Sequence, residues 1–183
     1  MKHSANCYAV AKSFEAFEPE AYPDPRSDLG EACTRRGLRM SQYRQISNWQ
    51  ALKGAPWTIG YGHTGGVKPG DTITEDQAHA LMVQDFTKCD EEIEKYVNVD
   101  LNQGQHDCLA DMVFNMGPKF LKSSGLADAL AVRDFDTVRR KIPQYRLSGG
   151  KVFKGLVRRR AADLALWDGK TGEEAAKIGW AAA

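Results

Sequence analysis

The sequence predicts an α+β fold that is mainly helical, with one small sheet in its N-terminal third. Two long stretches, residues 75–97 and 102–117, repeat apolar residues at helical spacing between clear start and stop signals. One short stretch, Trp57 to His63, alternates instead, and its Gly60 and Gly62 permit tight backbone packing. The 183 residues are 42% hydrophobic and 27% charged, which suits a globular protein and excludes a disordered one. That length allows one domain with a sizeable core, or two small lobes sharing one.

Residues 4–18 read as a helix, with Tyr8, Ala11, Phe14 and Phe17 near helical spacing. Pro19, Pro23 and Pro25 end it and open an extended, turn-rich stretch. Residues 26–56 have weak periodicity and read as an excursion, with a short helix around 41–52 that turns Ile46 and Trp49 inward. The strand at Trp57 to His63 leads into turns at Thr64-Gly65-Gly66 and Lys68-Pro69-Gly70-Asp71. Thr74 is a good N-cap for the helix over 75–97, and Gln77 completes a capping box. Ala78, Leu81, Met82, Phe86, Cys89, Ile93, Tyr96 and Val97 form its apolar stripe. At 1.5 Å per residue this helix reaches roughly 35 Å, enough to bridge two lobes. The next helix starts at Asn102, with Gln105 three residues on, and stops at Gly117 before Pro118. Its inward face is Leu109, Met112, Val113 and Met116. Shorter helices at 124–132, 135–142 and 155–167 follow, the last closed by Gly169.

Net charge is only +1, yet nine Lys and Arg and no acid fall between Thr137 and Ala162. Such a block is either a solvated face or an attractor for a polyanion. Cys7, Cys33, Cys89 and Cys108 show no C-x-x-C pair and no zinc spacing with His, so the reading is packed free thiols or a disulfide, with no metal and no cofactor. Met1 to Cys7 lacks the apolar core of a secretory signal and nothing reads as a membrane span. The expectation is a chain that starts in the cytoplasm.

Hydrolysing an acetal needs a proton for the leaving oxygen and help for the incoming water. Glu15 lies between Phe14 and Phe17 at an apolar helix end, where partial desolvation favours a neutral carboxyl. Asp24 lies in a Pro-rich turn, where it stays ionised, and Thr58 supplies a hydroxyl near the start of the strand. Two acids in opposed environments divide the roles of proton donor and water holder. Against this, Glu15, Glu18 and Glu20 could all be solvated acids and Asp24 a turn cap. Spacing alone does not decide.

Glu15-Ala16 followed by Ala21-Tyr22-Pro23-Asp24, and then Thr58-Ile59-Gly60-Tyr61-Gly62-His63-Thr64, resembles the active-site signature of the phage-type (T-even-like) lysozymes and endolysins, glycoside hydrolase family 24. The resemblance continues through Ile73-Thr74-Glu75-Asp76-Gln77-Ala78, Met112-Val113-Phe114-Asn115-Met116-Gly117 and Gly155-Leu156-Val157-Arg158-Arg159-Arg160, nearly the whole chain. It implies a lysozyme-like two-lobed fold: a small β-sheet lobe, a long connecting helix and a helical lobe across a cleft. The expected layout is a single catalytic domain over 1–183, with an N-terminal helix at 1–18 and a sheet-containing lobe at about 19–74 that carries an insertion at about 25–56. The connecting helix spans 75–97 and the helical lobe 98–183. The implied activity is an N-acetylmuramidase that cuts the β-1,4 bond between N-acetylmuramic acid and N-acetylglucosamine in bacterial peptidoglycan. Glu15 would be the proton donor, and Asp24 with Thr58 would position water for direct displacement with inversion, for which the acids stand about 6.5–9.5 Å apart.

This sequence departs from the family pattern twice. Ala16 replaces the usual glycine after the catalytic Glu, and 33 residues separate Asp24 from Thr58 where the family has five. The 28 extra residues make Asp28 a rival to Asp24 and project from the sheet-side rim. Their Tyr43, Trp49 and arginines either stack on sugars and meet anionic stem peptides, or pack a local mini-core. By the same resemblance Gly62, Thr64, Phe114 and Ser123 touch substrate, although Phe114 also suits a core. His63 and Asp85 are expected to form a buried structural ion pair. His79 and His106 read as surface residues. One of Arg158, Arg159 and Arg160 is expected near Glu15.

The expected partner is therefore peptidoglycan, reached through a membrane lesion such as a holin pore, by a monomer with no nucleic-acid partner and no stable membrane insertion. After release the protein would act in the periplasm and cell wall. Two other functions stand beside it: a lytic transglycosylase, which uses one acid and forms an anhydro product, and a non-catalytic wall- or nucleic-acid-binding module built on the basic block.

Overall fold

Helix α1 (Ala5–Phe14) stops four residues short of the expected end, because Glu18–Pro23 is recruited as strand β1. The prolines that seemed to mark only a turn sit where an edge strand tolerates them. Strand β1 pairs antiparallel with β2 (Trp57–Gly60), Tyr22 opposite Thr58 and Pro23 opposite Trp57, with an irregularity between Glu18 and Tyr22. On the other edge of β1, Ala21 N–H donates to the Asp71 carbonyl and Ile73 N–H to the Pro19 carbonyl, each at 2.9 Å. The computed structural model describes residues 1–117 and 119–182. Pro118, read above as the stop beyond the second long helix, lies outside the described residues.

The excursion between the strands is structured. Helix α2 (Asp28–Arg35), unforeseen in the sequence, starts at Ser27, whose hydroxyl accepts the Gly30 N–H at 3.1 Å. Two 3-10 turns, Met40–Gln45 and Trp49–Ala51, stand where one short helix was expected. Tyr43 is fully buried, and its ring meets Trp49 and Trp57 edge to face, each at 5.0 Å. Leu29, Cys33, Ile46 and Ile59 complete the cluster. Of the two sequence readings for Tyr43 and Trp49, the mini-core is the one observed.

Helix α3 (Glu75–Tyr96) has the expected capping box: Gln77 N–H donates to Thr74 Oγ1 at 3.2 Å, and Thr74 N–H to Gln77 Oε1 at 2.8 Å. Helix α4 (Gln103–Met116) is capped by Asn102 and Gln105 in the same way and ends at Gly117, whose φ of 86° suits a residue without Cβ. The predicted 124–132 helix is the shorter α6 (Leu126–Ala131), preceded by an unforeseen turn of helix, α5 (Phe120–Ser123), and α7 spans Phe135–Lys141. A two-stranded hairpin, β3 (Leu147–Ser148) with β4 (Lys151–Val152), and a last helix α9 (Gly172–Ala181) after α8 (Lys154–Trp167) were not foreseen. Thr171 and Glu174 make a third capping box for α9. Helices hold 59% of the described residues, so the protein is mainly helical with small antiparallel strand pairs, as expected.

Two compact units divide the chain, one of Met1–Phe14 with Val83–Ala183 and one of Glu15–Met82. The first has a polar interior where the sequence suggested surface. His106, expected outside, is 2% exposed, and its Nε2 lies 2.8 Å from Asp90 Oδ1. It shares an i, i+3, i+7 face with Leu109 and Val113, so α4 carries it inward with them. Asp90 also holds His3 Nδ1 at 2.7 Å. Within the basic block, Arg159 and Arg160 are 3% and 1% exposed. Arg159 forks onto Asp111 at 2.9 and 3.0 Å. Arg160 Nε lies 2.7 Å from Asp163 Oδ2, an ionic contact without the alignment of a directed hydrogen bond. The block is thus neither wholly solvated nor wholly free for a polyanion. All four cysteines are buried free thiols.

Candidate active site

Glu15 is the first residue of its unit, directly after α1, and it is half-buried. It lines a pocket of about 400 Å³ with Ala16, Glu18, Tyr22 and Gly62, and with Arg39, Met40 and Ser41 from the excursion. Neither Asp24 nor Thr58 is in that wall, and Tyr22 is what connects them to it. Burial raises the Tyr22 phenol above its ordinary range, the nearby Glu15 and Glu18 carboxylates add to the rise, and the Thr58 side chain, in hydrogen-bonding position, opposes it. One phenol therefore feels both the expected proton donor and the expected water-binding hydroxyl.

The sheet explains how Asp24 joins them. Residues directly opposite in an antiparallel pair project to one face, as do residues two apart on one strand. Tyr22 and Thr58 are opposite, and Asp24 follows Tyr22 by two. Backbone pairing continues past the strand, where Asp24 N–H donates to the Gly54 and Pro56 carbonyls, both at 3.0 Å. Leu29 N–H to the Lys53 carbonyl, at 2.9 Å, closes the neck of the excursion. The 33 intervening residues thus leave and return at one point. Asp24 is further fixed by the Arg26 N–H, which donates to its Oδ1 at 2.6 Å, and by its carbonyl, which accepts from Ser27 N–H and Oγ. Gly30 of α2 packs so closely on this turn that a Cβ there would lie 2.1 Å from the Asp24 carbonyl oxygen.

Asp28, the rival acid, is exposed at the first position of α2, where a carboxylate favours the helix N-terminus. Gly62 lines the Glu15 pocket with a φ of 96°. Thr64 is exposed beyond the Ile59–His63 bridge and is not in the pocket wall. His63 is buried, its Nε2 2.9 Å from the Gly65 carbonyl, and the Asp85 carboxylate accepts from Lys88 Nζ at 2.8 Å. The two residues expected as an ion pair belong to different units. Phe114 and Ser123 lie in the other unit as well. Phe114 stacks on Phe86 at 4.6 Å with Arg159 over its ring, and Ser123 Oγ donates to the Phe120 carbonyl at 3.2 Å. Arg158, Arg159 and Arg160, one of which was expected near Glu15, belong to the other unit, where Arg158 lies over the Trp180 ring at 4.8 Å.

Tyr22 and the 39–41 wall had no role in the sequence reading. Tyr22 was discoverable from its place two residues before Asp24, had 18–23 been read as a strand. The wall was not, because only tertiary packing folds residues 39–41 back toward Glu15.

The family described as phage lysozyme matches residues 34–163, most of the chain. The chain belongs to the phage lysozyme family. The matched span includes Thr58 and begins after Glu15 and Asp24, so the placement of the two acids rests on their own motif and geometry. An endolysin of Bacillus phage B103 is 35% identical over 132 residues, covering 72% of this chain and 48% of that protein. An endolysin of Acyrthosiphon pisum secondary endosymbiont phage 1 is 30% identical, over 72% of this chain and 88% of its own length. The chain thus spans about half of the first relative and most of the second. Among solved structures, a P22 lysozyme mutant superposes with a TM-score of 0.67 at 25% identity, over 91% of this chain and 98% of that one. In this phage lysozyme family member the 33-residue interval is the β1–β2 connection, and its own residues form part of the Glu15 pocket.

Proposed function

We propose that the chain is an endolysin-type N-acetylmuramidase that hydrolyses the β-1,4 bond between N-acetylmuramic acid and N-acetylglucosamine in bacterial peptidoglycan and so lyses the cell. One observation carries the proposal: Glu15 lines a pocket with Tyr22, whose strand partner is Thr58 and which stands two residues before Asp24. Glu15 donates the proton to the leaving oxygen. Asp24 and Thr58 hold and activate the water, and inversion follows. Asp24 is favoured over Asp28 because its backbone continues the β1–β2 pairing next to Thr58, whereas Asp28 is an exposed residue of α2. Family membership and the endolysin relatives support the same reading.

The protein acts as a monomer on the wall, beginning in the cytoplasm and reaching the periplasm through a holin-type lesion. Among the described residues no helix is long and apolar enough to cross a membrane. Release dependence is checked by expressing the chain with and without a pore-forming partner and timing lysis.

The reaction is tested by mass spectrometry of digested peptidoglycan with wild type, Glu15→Gln, Asp24→Asn and Asp28→Asn. Reducing muramic-acid ends from wild type and Asp28→Asn, with none from the other two, is the expected pattern. Mainly anhydromuramic ends would instead assign a lytic transglycosylase, and lysis that persists in Glu15→Gln would assign a non-catalytic wall-binding role.

A further inference from the structure

The excursion does more than pack. Its Arg39, Met40 and Ser41 form one side of the pocket that holds Glu15. This side is anchored: Met40 packs on the mini-core, Tyr43 is buried three residues on, and the Arg39 N–H is fixed by Gln42 Oε1 at 2.9 Å. The pocket wall carries the carboxyl groups of Glu15 and Glu18 and the guanidinium of Arg39. Two other arginines of the excursion are engaged, Arg35 with Glu31 at 3.6 Å and Arg44 with Glu20 at 3.3 Å, while Arg26 and Arg36 lie outside the pocket wall. Arg39 is exposed and, among the described residues, pairs with no acid. A cation on a rigid wall, next to two acids and without a partner, is placed to receive an anionic group of the substrate.

We propose that the excursion builds a carboxylate-reading subsite, in which Arg39, beside Met40 and Ser41, binds the acidic peptide substituent of the muramic acid next to the bond that Glu15 cleaves. The inference rests on the muramidase reading of the same pocket. The two sugars of the glycan are alike except at the lactyl ether, which carries a peptide with free carboxylates. Arg39 supplies a positive charge for those carboxylates at one side of the pocket. The site therefore selects peptide-bearing strands and orients them. Without the excursion, the five-residue connection of the family pattern leaves this side of the pocket without a wall.

The test compares kcat/KM on intact glycan strands with kcat/KM on the same strands stripped of peptide by an amidase. For Arg39→Gln the preference for intact strands falls about tenfold, the equivalent of one charge-assisted hydrogen bond. The loss lies in KM and shrinks at high salt. Arg39→Lys restores part of the preference, and Arg36→Gln, on the same excursion but outside the wall, leaves it in place. An equal loss on both substrates, or no change in the ratio, overturns the subsite. Binding separates this outcome from failure of the muramidase reading. In a Glu15→Gln background, titration with a disaccharide-peptide and with its peptide-free disaccharide reads Arg39 without catalysis. If wild type cleaves neither strand but Arg39→Gln still loses the peptide-dependent binding, the subsite stands and the muramidase assignment falls. If binding shows no peptide dependence, the subsite falls whatever the catalytic result.

Discussion

Replacing Tyr43 by phenylalanine should stabilise this protein. Tyr43 is 0% exposed at the centre of the mini-core, and its hydroxyl oxygen is buried with no hydrogen-bond partner among the described residues. A buried polar group left unpaired costs about 1–3 kcal/mol, while the ring itself is well held between Trp49 and Trp57. Tyr43→Phe removes the cost and keeps the ring, so the expected gain is about 1 kcal/mol. For a chain of this size that is about 2–4 °C in Tm. Tyr43→Ala removes the ring as well. It should cost about 3–5 kcal/mol, on the order of 10 °C, because a large aromatic leaves a cavity and two edge-to-face contacts go with it. Thermal and urea unfolding of the three proteins measures both changes, and peptidoglycan turnover measured alongside should be unaltered in Tyr43→Phe. A Tyr43→Phe protein less stable than wild type would refute the reasoning, since the hydroxyl would then have a partner worth keeping. An unaltered Tm in Tyr43→Ala would mean that the mini-core does not hold the excursion in place.

The same contacts give further expectations. Gly30→Ala forces a Cβ to within 2.1 Å of the Asp24 carbonyl oxygen and 2.7 Å of the Pro25 Cα, both backbone atoms that cannot swing aside. Turnover should fall at least tenfold along with a loss of roughly 1–3 kcal/mol of stability, and wild-type turnover in this variant would show that Asp24 needs no such support. Burial raises the Asp111 carboxyl, but the Arg159 charge and hydrogen bonds outweigh it and hold the net value below the ordinary range. A depressed folded pKa means that this stabilisation is complete above the unfolded value of about 3.9 and is lost as pH falls through the lower folded value. Acid unfolding should therefore steepen below about pH 4, and Asp111→Asn should cost about 3–5 kcal/mol at neutral pH by removing one charge of a buried, forked ion pair. A Tm for Asp111→Asn equal to wild type at pH 7 would contradict this. Burial, with neighbouring acids adding to it, pushes the Cys89 thiol up to about 12, and Cys7 and Cys108 are raised well above their ordinary values, burial first. Ellman's reagent should find four thiols after unfolding and almost none before, so rapid labelling of the native protein would rule out the buried assignment.

Local signals with a direct physical cause were legible from the residues alone. The capping boxes at Thr74–Gln77 and Asn102–Gln105 were read correctly because a cap is a contact between residues three apart. Of the predicted stripe, Ala78, Met82, Phe86, Cys89 and Ile93 are buried because one helix presents one face, while Leu81, Tyr96 and Val97 are only half-buried. The motif from Glu15 through Asp24 to Thr58 identified the family. Strand β1 escaped because Pro19 and Pro23 argue locally against a strand, and only β2 and residues 71–73 supply the partners that make it one. Helix α2 escaped because its eight residues include Gly30 and Thr34, weak helix formers held by the packing of Leu29 and Cys33.

By itself, then, the sequence determined a mainly helical phage lysozyme family fold, its principal helices and the acids to consider. It could not determine where a 33-residue excursion returns, because that depends on hydrogen bonds between Asp24 and Gly54 or Pro56, some 30 residues apart. Nor could it bury His106 and Arg159, since the choice between surface and core for a charged side chain is made by a partner distant in sequence, such as Asp90 or Asp111. The wall that Arg39 adds to the Glu15 pocket belongs to the same class. Long-range packing around Tyr43 puts it there, and no local pattern encodes it.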